Sequence, residues 1–240
     1  MELHRERRRF LEFLIGGEST FAGTMLRRLF AAGVVVLGGC ASAQDYVDQY
    51  AHPAPTLQEF SVCHGYGCRL RTYVRMDRDA WADVVAVFRP TPATAAEERA
   101  RLARAIALME IKVGGAVGTA TDEAAAATFG GEPDQLDCID ETVNTTVYLR
   151  LLAAEGLMRW HSIGVAAQRG SLTGFRYNDF ITNTAAIIET ATGESFAVDS
   201  YFYPNGREPK ILPLAEWRRN WRPTPGDPLL APLTPPPPSG

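Results

Sequence analysis

Asp137-Cys138-Ile139-Asp140-Glu141-Thr142-Val143-Asn144-Thr145-Thr146-Val147-Tyr148-Leu149-Arg150-Leu151, closed by Gly156, is the stretch around which the chain is organised. Ile139, Val143, Val147 and Leu151 recur at helical spacing. Asp137 stands where an N-cap belongs, Asp140 and Glu141 fill the first turn, and Gly156 supplies a C-terminal stop. Cys138 therefore lies one step inside a helix N-terminus. Backbone N–H groups and the macrodipole there favour a thiolate, whereas the three acids around it disfavour one. Asn144, Thr145 and Thr146 form a polar, closely packed face of the same helix. Two strand-like runs follow, His161 to Gln168 and Ala185 to Thr190. A Thr192-Gly193 turn leads into a third run ending at Asp199.

Upstream, Leu70 to Arg75 alternates as a strand does. Asp79 to Phe88 reads as a short helix with Trp81, Val84, Val85 and Phe88 inward, stopped by Pro90. Thr94-Ala95-Ala96-Glu97 is a capping box opening a longer helix with Leu102, Ile106, Met109 and Val113 on one face. Arg99, Arg101 and Arg104 read as its solvated face. Trp217 and Trp221 close the domain on a final packing helix. The class is α+β, with the Cys138 helix packed on an antiparallel sheet and further helices from residues 79–114.

The order of Cys138 at a helix start, a strand, a turn and Asp199 at the end of the next strand resembles the transglutaminase-like (papain-like) cysteine enzymes, and among them the bacterial transglutaminase-like cysteine proteinases. The resemblance spans residues 137–199. It implies a transglutaminase-like fold, with Cys138 as nucleophile and Asp199 as the residue that orients a histidine. It also implies peptide hydrolysis or acyl transfer through a thioester, and a cleft walled by residues 94–134. Where the family places its histidine, this sequence reads Thr182-Asn183-Thr184. Of the four histidines, His4 and His52 lie outside the expected domain. His64 lies between two cysteines, and His161 is the candidate for a replacement base; on its strand Ile163, Val165 and Ala167 would share its face. Asp199 also reads as an ordinary strand-end residue.

Met25-Leu26-Arg27-Arg28, the short apolar run Leu29 to Leu37, and Leu37-Gly38-Gly39-Cys40 read as a lipoprotein signal with Cys40 as the lipidated residue. The apolar run is well short of the roughly 20 residues a spanning helix needs. Ala41-Ser42-Ala43 also suits a plain signal peptidase, and either route exports the chain. The expected organisation is an N-terminal extension and signal over 1–40, a surface tether over 41–56, a transglutaminase-like domain over 57–221 and a disordered proline-rich tail over 222–240. A lipid anchor implies a cell-envelope location facing the periplasm, with the outer membrane favoured over the inner.

Export implies an oxidising compartment, so Cys63-His64-Gly65-Tyr66-Gly67-Cys68 reads as a small disulfide-closed loop. Redox-active use of Cys63 and Cys68 is an alternative, although the spacing is not C-x-x-C. Haem attachment does not fit, and zinc would need a further ligand. Cys138 is then the odd thiol. The net charge of −4 and the absence of a basic face interleaved with aromatics exclude nucleic-acid binding. No cofactor or metal is called for. Three functions stay open. One is an envelope protein that keeps the family's site for binding a peptide or cell-wall ligand without turnover. The others are an active cysteine amidase or acyltransferase using Cys138, and a thiol-redox protein using Cys63 and Cys68.

Overall fold

Asp137 caps the central helix as its position demands. Its side chain accepts from Ile139 N at 2.9 Å and Asp140 N at 3.0 Å, and Asp140 returns a bond to Asp137 N at 3.2 Å. This capping box starts the helix at Cys138. The computed structural model describes residues 41–126, 131–171 and 180–231. Their elements run α1 (Ala43–Tyr50), β1 (Phe60–His64), β2 (Leu70–Val74), α2 (Arg78–Ala86), α3 (Ala95–Val117), α4 (Cys138–Ala154), β3 (His161–Ile163), β4 (Ala167–Arg169), β5 (Thr182–Glu189), β6 (Ser195–Asp199), β7 (Lys210–Pro213) and α5 (Leu214–Trp217). The class is α+β, and every strand pair is antiparallel.

The larger sheet has the order β3-β5-β6-β7, with β4 also on β5. Its period-2 alternation separates two faces. Ala185, Ile187, Phe196 and Val198 join Val143, Val147, Tyr148, Leu149 and Leu151 of α4 in the main core. Ala167, Ala197, Leu212 and Trp217 form a second, smaller core. Helix α4 is buried nearly all round because a hairpin covers what the sheet does not. Strand β1 is wholly buried, and Asn144 binds its backbone through Cys63 N (2.7 Å) and Cys63 O (2.8 Å). This explains the polar helix face: an amide side chain substitutes for a neighbouring strand.

Several expectations change. Residues 41–56 are not a free tether. Ser42 and Asp45 make a capping box, α1 follows at once, and Ala43 and Val47 are buried in the main core. Apolar residues four apart on a capped helix bury more surface packed than extended in water. The run from His161 to Gln168 is two strands, not one. His161 to Ile163 pair with Glu189 to Ile187, and Ala167 to Arg169 pair with Thr184 to Thr182. The connection holds one residue more than β5 does opposite, which is a bulge. It turns Val165 out to 69% exposure while Ala167 stays buried. The tail is folded further than expected: Asp227 caps a short helical turn over Pro228–Leu230 and accepts from Tyr203 OH at 3.2 Å. The last helix ends at Trp217, ahead of Trp221. The signal at 25–40 with Cys40, His4, and the tail beyond 231 lie outside the described residues.

Arg99 is not on a solvated face either. It donates to Glu189 at 2.7 Å and lies 4.0 Å over the Phe196 ring. Beside it, Glu98 is a buried carboxylate that takes Arg159 N at 2.7 Å, Trp160 N at 3.0 Å, His161 N at 3.1 Å and His161 Nδ1 at 2.9 Å. Burial alone would raise its pKa, but these bonds and the imidazole hold it below the usual value. Glu98 thereby pins the turn that delivers the chain from α4 into β3. Glu98→Ala strands these buried donors and is expected to cost about 3–5 kcal/mol, with Glu98→Gln costing less. Urea unfolding checks this as a lowered midpoint at unchanged m.

Candidate functional site around Cys138

Cys138 opens α4 and is 7% exposed. Its sulfur lies 3.9 Å from Ile181 O, and Asn183 Nδ2 donates to it at 3.5 Å. Asn183 Oδ1 in turn accepts from Gln168 Nε2 at 3.1 Å. The thiol is thus met by an amide, which is held by a second amide across β4 and β5. Burial pushes the Cys138 pKa up to about 12. Asp137 and Asp199 add to the rise, and the bonds from Asn183 offset it only in part. The capped N-terminus does not win: desolvation in this position outweighs the dipole.

The described histidines are all engaged elsewhere. His161 belongs to the Glu98 network. Arg99 Nη1, which can only donate, lies 3.1 Å from His161 Nε2, so Nε2 accepts and the proton sits on Nδ1 toward Glu98. His161 pairs with Glu189, six residues along β5 from Asn183, which is roughly 20 Å. The expectation of His161 as a base for Cys138 fails on this geometry. His64 ends β1 with Nδ1 2.7 Å from Pro133 O and Nε2 2.9 Å from Thr72 Oγ1. His52 lies 3.6 Å from Glu59.

Asp199 is buried at the end of β6, but in the register of Ala197 it belongs to the second core. There Trp217 Nε1 donates to its Oδ2. Burial raises its pKa to about 6, against the Trp217 bond and the charge of Arg169. Arg169 itself is held by Trp217 O and Trp221 O. Among the described residues Asp199 is therefore bonded to Trp217 and not to a histidine. The residue facing α4 beyond it is Ser200, 3.1 Å from Thr145 Oγ1.

The cysteine loop meets the start of α4 directly. Cys63 and Cys68 are disulfide-bonded. Tyr66 N and Cys68 N donate to the two oxygens of Asp140 at 2.8 and 2.6 Å, and Gly67 N donates to Asp137 at 3.0 Å. Cys63, Cys68 and Asp140 also form the one group of metal-ligand type within reach of a common point among the described residues. Both sulfurs are spent in the disulfide, so this set does not suit a metal.

Behind α4 lies a set of buried acids with little to neutralise them. Burial raises Glu110 and Asp122 each to about 8, with the charge of Glu110 adding to Asp122. Burial and then the charges of Glu110 and Asp122 put Glu141 well above its usual range. Glu110 Oε2 takes Gly206 N at 3.0 Å, and Asp122 Oδ1 takes Leu136 N at 2.6 Å. With a side-chain bond from Ser200 to Glu110 added, these few bonds do not replace the lost hydration.

The sequence pattern places Cys138, its cap and the disulfide, but not the contacts of Asn183 and Gln168 or the bonds of Asp140 to the cysteine loop. Alternation with Ala185 and Ile187 was a usable signal that Asn183 faces the helix. Gln168 was hidden by the bulge, which breaks the alternation from His161. The chain matches no protein-family model, no curated protein and no solved structure.

The buried acids give a pH prediction. Their folded pKa values exceed the unfolded ones near 4, so the folded state binds more protons and stability falls as pH rises from about 4 through about 8. The melting temperature is expected to be higher at pH 5.5 than at pH 8.5, and Glu110→Gln should flatten the slope. A melting temperature that rises across this range contradicts the assignment.

Proposed function

We propose that this chain is an exported, lipid-anchored protein of the cell envelope that resembles the transglutaminase-like cysteine proteinases in organisation but uses the Cys138 site to bind rather than to turn over. The observation that carries the reading is Asn183. An amide, which neither takes nor gives a proton near neutral pH, occupies the place beside the sulfur where a cysteine hydrolase needs its base. A thiol with its pKa pushed up to about 12 is not a nucleophile at pH 7. Beside Cys138 the buried Asn183 fixes the half-buried Gln168, whose amide is suited to hydrogen-bond the peptide groups of a peptide or cell-wall ligand.

Export rests on Leu37-Gly38-Gly39-Cys40 and agrees with a disulfide between Cys63 and Cys68. Among the described residues no helix is long and apolar enough to cross a membrane. A lipid on Cys40 would anchor the domain to the membrane, on the periplasmic side and in the outer membrane by preference.

Site-resolved alkylation of Cys138 against pH, read by peptide mass mapping, tests the reading. The apparent pKa is expected above the roughly 8.5 of a free thiol. No acyl-enzyme should form with peptide or ester substrates. Asn183→His should lower the apparent pKa by rebuilding a Cys–His contact. A wild-type thiol that alkylates rapidly at pH 6, or a trapped thioester, would overturn the binding reading in favour of a cysteine amidase. The anchor is tested separately. Mass spectrometry of the membrane fraction should find Cys40 acylated, and Cys40→Ser should release the protein from that fraction.

A further inference from the structure

The turn between the paired cysteines is left-handed throughout. Gly65, Tyr66, Gly67 and Cys68 have φ of 77°, 69°, 65° and 56°. Glycine adopts this conformation freely, whereas an L-residue brings its Cβ too close to the following carbonyl oxygen. Tyr66 and Cys68 therefore need an external constraint. Two are present. The disulfide closes the turn, and the Tyr66, Gly67 and Cys68 amides converge on Asp140 and Asp137. Successive backbone amides presented by a tight turn make a concave anion-binding site. Here the anions are the chain's own carboxylates, the same pair that caps α4 and flanks Cys138.

We infer that formation of the Cys63–Cys68 disulfide is the step that sets the Cys138 site, fixing the first turn of α4 and shielding the thiol. With both thiols reduced, Tyr66 and Cys68 are held in left-handed backbone by hydrogen bonds alone: those to the two carboxylates, Gly65 N to Gln135 O at 2.9 Å, Arg69 N to Tyr66 O at 3.3 Å and Tyr66 OH to Glu132 at 3.2 Å. Once the turn relaxes, Asp140 loses two of its donors and Asp137 loses one, and each becomes an under-solvated buried carboxylate. The first turn of α4 then opens and Cys138 is uncovered. In the oxidising step the two thiols give up two protons and two electrons to a protein disulfide, which leaves as a dithiol, and one S–S bond forms. Cys63 is then fully buried and Cys68 nearly so, which shields the bond from reductants. The device acts once, on oxidation, whatever chemistry or binding Cys138 supports.

The test uses the full chain in three forms: oxidised; unfolded, reduced with a phosphine and refolded without oxidant; and the Cys63→Ser/Cys68→Ser double variant. Cys138 alkylation is followed by peptide mass mapping, and hydrogen exchange is followed at Ile139, Asp140 and Glu141. The reduced and double-variant forms should keep the far-UV circular dichroism of the oxidised chain. Their Cys138 should alkylate at least about tenfold faster, with exchange protection lost at these three amides. Oxidation of the reduced chain by a small disulfide should restore the slow rate. Tyr66→Gly in the reduced chain should recover much of the protection, because glycine holds the turn at no steric cost. A Cys138 rate unchanged within about twofold after verified reduction overturns the inference. Loss of the whole fold on reduction also overturns it, because the bond would then be a global staple. A reduced Tyr66→Gly chain as open as reduced wild type overturns the strained-turn argument.

Discussion

Two adjacent carboxylates at the start of α4 hold this domain together. Asp137 and Asp140 take backbone N–H groups from their own helix turn and from the cysteine loop, whose sequence position is far upstream. A buried carboxylate is costly unless its oxygens are filled. Filling these oxygens brings the β1–β2 hairpin, the capped helix and Cys138 to one place. The balance is narrow, since burial and the charge of Asp137 still raise Asp140 to about 7. Asn144 repeats the device one helical stretch further on, binding β1 through both its donor and its acceptor.

Sheet parity governs which side chains meet Cys138. Asn183 shares the α4 face of β5 with Ala185 and Ile187, whereas Asp199 points into the core around Trp217. Two residues that the resemblance associates in one catalytic line thus have different hydrogen-bond partners, although the charge of Asp199 still reaches Cys138. Asp199 is occupied by an indole N–H, and Cys138 by an amide. His161 stands on the α4 side of the sheet but at its far end, where Glu98 and Arg99 use both ring nitrogens.

Helix α3 carries two buried glutamates with opposite behaviour. Glu98 meets four donors at the turn into β3 and is held low. Glu110 meets Gly206 N, lies near Glu141 and Asp122, and is pushed up to about 8. Identical side chains on one helix are thus an anchor and a source of instability, according to how many N–H groups the surroundings supply.

The local features of this protein were decided by its sequence. The N-cap at Asp137, the helix through Leu151, the Thr94 cap of α3, the turn at Gly193 and the pairing of Cys63 with Cys68 all follow from short-range chemistry. Capping, periodicity and loop closure act over a few residues and need no partner. Tertiary structure alone decided the rest. It made a helix of the segment read as a tether, because Ala43 and Val47 had a core to enter. It turned Arg99 inward and set Asn183 rather than a histidine on the thiol. One extra residue between β3 and β4 moved Ala167 from the face of His161 and Ile163 to the opposite core and left Val165 exposed. It also gathered Glu110, Asp122 and Glu141 behind α4. Each of these outcomes depends on which surface a side chain meets, and that surface is made by residues distant in the chain.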